Sequence, residues 1–90
     1  MARRTVVIAY DIRTDARRRR VHRILRDWRL DGQKSVVETR LSASEAQELF
    51  LQISGEIHLR EDRLALVWLD ARYPALGAGV GRPAVHFHYK

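Results

Sequence analysis

The stretch Thr5–Asp11, Thr-Val-Val-Ile-Ala-Tyr-Asp, limits the possible folds more than any other segment of the chain. Val6, Ile8 and Tyr10 alternate onto one side, Val7 and Ala9 onto the other. A strand apolar on both sides needs cover on both, so it belongs in the middle of a sheet. The apolar run stops at Asp11, and an arginine-rich helical pattern follows. Two roles are open to Asp11 from its position. A carboxylate closing a central strand and facing a basic helix is a place for chemistry. An Asp there also serves simply to end the strand and turn the chain.

The turn after Asp11 offers Thr14 or Asp15 as a helix cap. Val21, Ile24, Leu25 and Trp28 then fall at i, i+3, i+4 and i+7, which predicts a helix to about Leu30. Each such side chain stabilises the fold by ~1.5–3 kcal/mol when fully buried. On that helix Arg19, Arg23 and Arg26 point away from the apolar stripe, and Arg18 and Arg20 flank it on opposite sides. Arg17 lies near the stripe and leans back towards the end of the first strand. Arginines in the first turns oppose the helix macrodipole, so folding gives no reason for them and ligand binding does.

Asp31-Gly32 is the expected helix stop, with Gly32 as a left-handed cap. Gln33 to Leu41 is β-prone, as one bent strand or two short ones. Ser42 and Glu45 form a capping box, and Ala46, Leu49, Phe50 and Ile53 are the stripe of a second helix that ends at Ser54-Gly55. Glu56–Asp62 reads as a charged connection. Arg63–Asp70 is apolar on both sides and should lie beside the first strand. Residues 71–84 hold Gly77, Gly79, Gly81, Pro74 and Pro83 and read as loop. Val85–Tyr89 alternates and reads as a terminal strand, paired with its own sheet or a partner's. His86 and His88 share one side of it, but with no nearby Cys or acid they read as surface imidazoles rather than metal ligands.

This order predicts an α+β sandwich, two helices on one face of an antiparallel sheet. Residues 1–70 form the domain, and residues 71–90 form a loop and C-terminal tail strand. The second sheet face is left uncovered, and a chain of 90 residues buries only a modest core, so a homodimer is expected. The chain has no cysteine, which excludes disulfides and thiolate metal sites. There is no nucleophile elbow, no phosphate-cradling glycine loop and no zinc-ligand spacing. No stretch has the ~20 apolar residues of a membrane span, and no signal-peptide core is present, so a soluble cytoplasmic protein without membrane contact is expected.

Charge narrows the partner. The chain carries +6, and residues 1–40 hold 12 Arg/Lys against 5 Asp/Glu. Residues 41–90 hold 5 against 6, so the excess lies entirely in the first half. All but Lys34 and Lys90 of the basic residues are arginine, whose planar fork matches phosphate oxygens. A basic, arginine-dominated half-domain points to a nucleic-acid partner. Among the acids near strand ends, Asp15 reads as a helix cap and Asp70 as a strand terminator. Asp11 is left as the metal candidate: Mg²⁺ accepts one or two carboxylates, and a two-fold dimer would pair two copies of one Asp. Tyr10, Trp28 and Trp68 have faces suited to base stacking, yet all three occupy core-patterned positions.

The strand Val6-Val-Ile-Ala-Tyr-Asp-Ile12, the helix start Asp15-Ala-Arg-Arg-Arg-Arg-Val21, the segment Gln33-Lys-Ser-Val-Val-Glu38 and the Leu41-Ser42 capping box together resemble the second Cas protein of CRISPR spacer acquisition. The resemblance spans residues 5 to about 70, with Val37 where the family has Phe. It implies a ferredoxin-like homodimer whose tail strand crosses to the partner's sheet. It implies a complex with the CRISPR integrase, the first Cas protein, along duplex DNA. It further implies a Mg²⁺-dependent endonuclease acting on RNA or DNA. In that family Asp11 would be the catalytic and metal-binding residue, with Tyr10, Arg18 and Arg20 in the same site. Arg19 and Arg23, on the helix's outer face, would grip nucleic-acid phosphates. The other behaviour of the family is a non-catalytic DNA-binding adaptor that bridges integrase dimers.

Overall fold

The computed structural model describes residues 2–31 and 34–80. The elements are β1 (Arg4–Asp11), α1 (Asp15–Asp27), β2 (Val36–Leu41), α2 (Ala43–Ser54), β3 (Arg63–Trp68) and β4 (Leu76–Gly79). The four strands form one sheet in the order β2-β1-β3-β4, every neighbouring pair antiparallel. This is an α+β, ferredoxin-like arrangement. β1 lies between β2 and β3, as its two apolar sides require, and Asp11 pairs with Arg63 at its far end. β2 and β3 run alongside β1 in the same direction as each other, joined by α2 across it.

Alternation along β1 divides the molecule into two sides. Val6, Ile8, Tyr10 and Ile12 enter a core shared with Val21 and Leu25 of α1 and with Ala46, Leu49 and Ile53 of α2. Both helices therefore lie on this face. Val7, Ala9 and Asp11 face the other way, with Ala65 and Val67 of β3. The second face is less bare than expected. Val7, Ala65 and Val67 are buried, and its exposed apolar residues are Val36 (50%) and Leu69 (47%).

Local chemistry explains the ends of the elements. Thr14, rather than Asp15, caps α1 by accepting the Arg17 N–H. Ser42 and Glu45 cap α2 reciprocally, and Glu45 also pairs with Arg3 at 3.0 Å. The stop of α1 differs from the expectation at Gly32, which lies outside the described residues with Gln33. The helix ends at Asp27, and Arg29 takes the left-handed conformation at φ 62°. Arg29 N–H donates to the Arg26 carbonyl and Leu30 N–H to the Leu25 carbonyl, the paired bonds of a Schellman cap. These bonds satisfy two terminal carbonyls, so a non-glycine residue holds the position.

The expected loop over residues 71–84 also needs correction, because Leu76–Gly79 is strand. Its glycines make the pairing possible rather than preventing it. Gly79 sits at φ +97°, and a Cβ there would lie 1.9 Å from the Asp62 carbonyl oxygen. Val80 N–H donates to that same oxygen at 2.8 Å. The tail strand expected over Val85–Tyr89, with His86 and His88, lies outside the described residues.

Candidate functional site

Asp11 is exposed at the end of β1, and no hydrogen bond or ion pair engages its carboxylate among the described residues. It lines an open cleft of about 420 Å³ with Arg13, Arg60, Glu61, Arg63 and Val80. Three segments build this cleft: the turn after β1, the loop from α2 into β3, and the end of β4.

One buried carboxylate ties the first two of these segments to α1, and the backbone carbonyl of the same residue accepts from Val80 N–H after β4. Asp62 is 0% exposed. It accepts from Arg13 N–H at 2.9 Å, His58 N–H at 2.7 Å, and Arg17 Nε and Nη2 at 2.7 and 3.2 Å. Burial pushes the Asp62 carboxyl up, and the hydrogen bonds from Arg17, His58 and Arg13 outweigh that, so its pKa falls below the ordinary value. Arg17 also binds Glu61 at 2.8 Å, and its own pKa is raised by the hydrogen bonds to Asp62 and Glu61. The sequence pattern puts Arg17 near the end of β1 and makes Asp62 part of a charged connection. The missed signal is Asp62's place one residue before a two-sided apolar strand, where a carboxylate is pulled into the core.

The helix arginines stand elsewhere. Asp11 is on the sheet face opposite the helices; Arg17 of α1 reaches the wall of its cleft through Glu61, while Arg18, Arg19, Arg20 and Arg23 do not line it. Arg18 pairs with Asp15 at 2.7 Å, and Arg20 pairs with Glu56 at 2.9 Å. They flank the helix on opposite sides, as their spacing requires. Arg19 and Arg23 are exposed, with no ion pair among the described residues. Tyr10 points into the core, 6% exposed, and its hydroxyl donates to the Lys34 carbonyl. Burial foremost, then the charge of Asp31, raises the Tyr10 pKa to about 12. Its ring meets His22 edge-on at 6.1 Å and has no face free for a base. Sequence reasoning missed Arg60 and Arg63, which only the fold brings to Asp11, and Arg13, whose place in the cleft depends on the turn after β1.

No group of three His, Cys, Asp or Glu side chains able to hold a metal exists among the described residues. No described helix is long and apolar enough to cross a membrane.

Comparison with known proteins gives a consistent family. The family described as CRISPR associated protein Cas2 matches residues 4–74. A CRISPR-associated endoribonuclease Cas2 from Allochromatium vinosum is 42% identical over 82 residues, covering 91% of this chain and 87% of the relative. A second relative, CRISPR-associated endoribonuclease Cas2 2 from Nitrosomonas europaea, is 33% identical over 72 residues, 80% of this chain and 64% of the relative. No solved structure matches. The match over residues 4–74 runs from the first residue of β1 to beyond β3, and the chain belongs to the CRISPR-associated Cas2 family.

Proposed function

We propose that this protein is a CRISPR-associated endonuclease that hydrolyses phosphodiesters in single-stranded RNA, duplex DNA or both, with Asp11 as its reacting centre. The observation that carries the reading is the exposed carboxylate of Asp11, unpaired among the described residues, in an arginine-walled cleft at the end of the central strand. The relatives from Allochromatium vinosum and Nitrosomonas europaea are named endoribonucleases, which puts RNA first.

The residues fit Mg²⁺. A hard carboxylate with no partner among the described residues suits a cation that completes its shell with waters and substrate phosphates. One chain offers too few ligands for a protein-only cage, so the proposal takes the second carboxylate from Asp11 of another copy in a homodimer. Bound there, Mg²⁺ would make an attacking water more acidic and polarise the phosphoryl oxygen. The remaining work falls to the chain itself. Asp11 accepts a hydrogen bond from the attacking water and orients it. Arginines beside it neutralise phosphate charge, and the buried Asp62 keeps the three segments of the cleft in register.

A second reading rests on a separate observation. Arg19 and Arg23 are exposed and unpaired among the described residues, on the outer face of α1. In this reading they clamp duplex DNA while the dimer bridges CRISPR integrase dimers, and Asp11 is not catalytic. Both readings are tested together by assaying single-stranded RNA and duplex DNA with and without Mg²⁺, beside Asp11→Asn. Mg²⁺-dependent cutting abolished by the substitution supports the nuclease. Absence of cutting with duplex binding retained supports the adaptor, provided Arg19→Ala/Arg23→Ala lowers the salt slope of binding. That slope is about −0.9 per duplex phosphate neutralised.

A further inference from the structure

Arg63 stands directly across from Asp11 in the β1–β3 register, on the same face of the sheet. A cross-strand pair of opposite charge ordinarily closes into a salt bridge. Here it does not: among the described residues, Asp11 and Arg63 form no ion pair with each other or with any other group. The same holds for the side chains of Arg13 and Arg60, which line the same cleft. Glu61, its other acid, is already engaged by Arg17. Among the described residues the cleft thus gathers three uncommitted guanidinium groups around one uncommitted carboxylate. Its walls are held by a fourth arginine, Arg17, which the buried Asp62 has taken out of service as a ligand.

We propose that Arg13, Arg60 and Arg63 form the phosphate-binding site that presents a nucleic-acid phosphodiester to Asp11. The inference rests on the nuclease reading for the role of Asp11, and it assigns substrate recognition to residues on Asp11's own side of the sheet. Arg17 of α1 braces the cleft wall through Glu61, and Arg18 and Arg20 are tied instead to Asp15 and Glu56. Guanidinium forks take the two non-bridging oxygens of a phosphodiester in parallel bonds, a match a lone lysine cannot make. Arg13 and Arg63 sit on segments fixed by Asp62 and by the strand ladder, so the site is set before the ligand arrives.

The test uses the full-length protein carrying Arg60→Ala/Arg63→Ala, beside Arg19→Ala/Arg23→Ala as the comparison on α1. Both pairs are exposed, and circular dichroism and the melting temperature check that each variant folds. Binding of a fluorescein-labelled single-stranded RNA is followed by anisotropy across a salt series in an Asp11→Asn background, where no cleavage interferes. The Arg60/Arg63 variant should lose roughly tenfold or more in affinity. Its salt slope should flatten by about 0.7 per lost single-strand phosphate contact. In the active background its KM should rise more than its kcat falls. Unchanged affinity, slope and KM would overturn the assignment. Loss confined to Arg19→Ala/Arg23→Ala would overturn it in favour of α1. The binding arm needs no catalysis, so a wild-type protein that fails to cut would defeat the nuclease reading and still decide this one. Repeating the series with duplex DNA identifies which backbone the site prefers.

Discussion

Removing the Asp62 carboxylate, as Asp62→Ala, should be among the most damaging single changes in this chain. The side chain is fully buried and accepts four hydrogen bonds, from Arg13 N–H, His58 N–H and the Nε and Nη2 of Arg17. Without it, two backbone donors lose their acceptor and the Arg17 guanidinium keeps only Glu61. Breaking a buried charge pair from one side costs about 3–5 kcal/mol. A domain of this size has a total stability on the order of 5–13 kcal/mol, so the loss is a large share of it. At about 4–8 °C per kcal/mol, the melting temperature should fall by at least ~12 °C. Asp62→Asn keeps one acceptor oxygen and the volume, and should fall between wild type and Ala. Scanning calorimetry at neutral pH measures all three. A drop under ~4 °C for Asp62→Ala would refute the claim that this carboxylate ties the turn after β1 and α1 to the loop before β3.

Other outcomes follow from the same geometry. The pKa of Asp62 is lowered in the fold, so its contribution is complete above the unfolded-state value near 3.9 and is lost as pH falls through the folded value. Glu45, lowered first by the Ser42 backbone N–H and then by Arg3, and Asp70, lowered to about 2 by Arg72, act in the same direction. A urea-midpoint series should therefore be flat near neutrality and fall steeply below about pH 4, and a fall confined to higher pH would contradict this assignment. Gly79→Ala should destabilise by more than ~1–3 kcal/mol, because left-handed strain adds to a Cβ 1.9 Å from the Asp62 oxygen. Gly55→Ala is the control: its Cβ would meet only carbonyl oxygens at 3.6 Å, and it should be neutral or stabilising by about 0.4–1 kcal/mol. Ser42→Ala removes a complete capping box and should cost ~1 kcal/mol in chemical denaturation. Light scattering at micromolar concentration should give a dimer mass, and a monomer would remove the source of the second Asp11.

Most of the fold was legible in the sequence where the pattern was periodic. The two-sided apolar strands at Thr5–Asp11 and Arg63–Asp70 became neighbours, and both helix stripes face the core. What escaped was carried by close approach rather than by period. Leu-Gly-Ala-Gly reads as loop because glycine disfavours strands in general, yet only glycine fits where β4 passes the Asp62 carbonyl. The α1 stop escaped because a full set of capping bonds let Arg29 do what glycine usually does.

The candidate cleft was legible in part, for a related reason. Asp11 was visible as the acid ending a central strand. Its surroundings were not, because sequence proximity pointed to the arginines of α1 while strand alternation turned Asp11 to the opposite face. Arg60 and Arg63 are some fifty residues away along the chain and come to the cleft only through the β1–β3 register. Arg13 is close in sequence, but its role depends on Asp62 holding its backbone N–H. Asp62 itself looked like one more charge in a charged segment, since no periodic signal marks a carboxylate buried for its hydrogen bonds.

The central claim, that Asp11 is the metal-binding centre of a nuclease, is tested most directly by titrating Mn²⁺, as a spectroscopic substitute for Mg²⁺, into the wild-type protein and Asp11→Asn. Electron paramagnetic resonance would follow free Mn²⁺ in the presence of an RNA oligonucleotide that resists hydrolysis. Wild type should bind Mn²⁺ saturably and stoichiometrically, and the substitution should abolish that binding while RNA binding persists. Equal Mn²⁺ binding by both proteins, or none by the wild type, would contradict it.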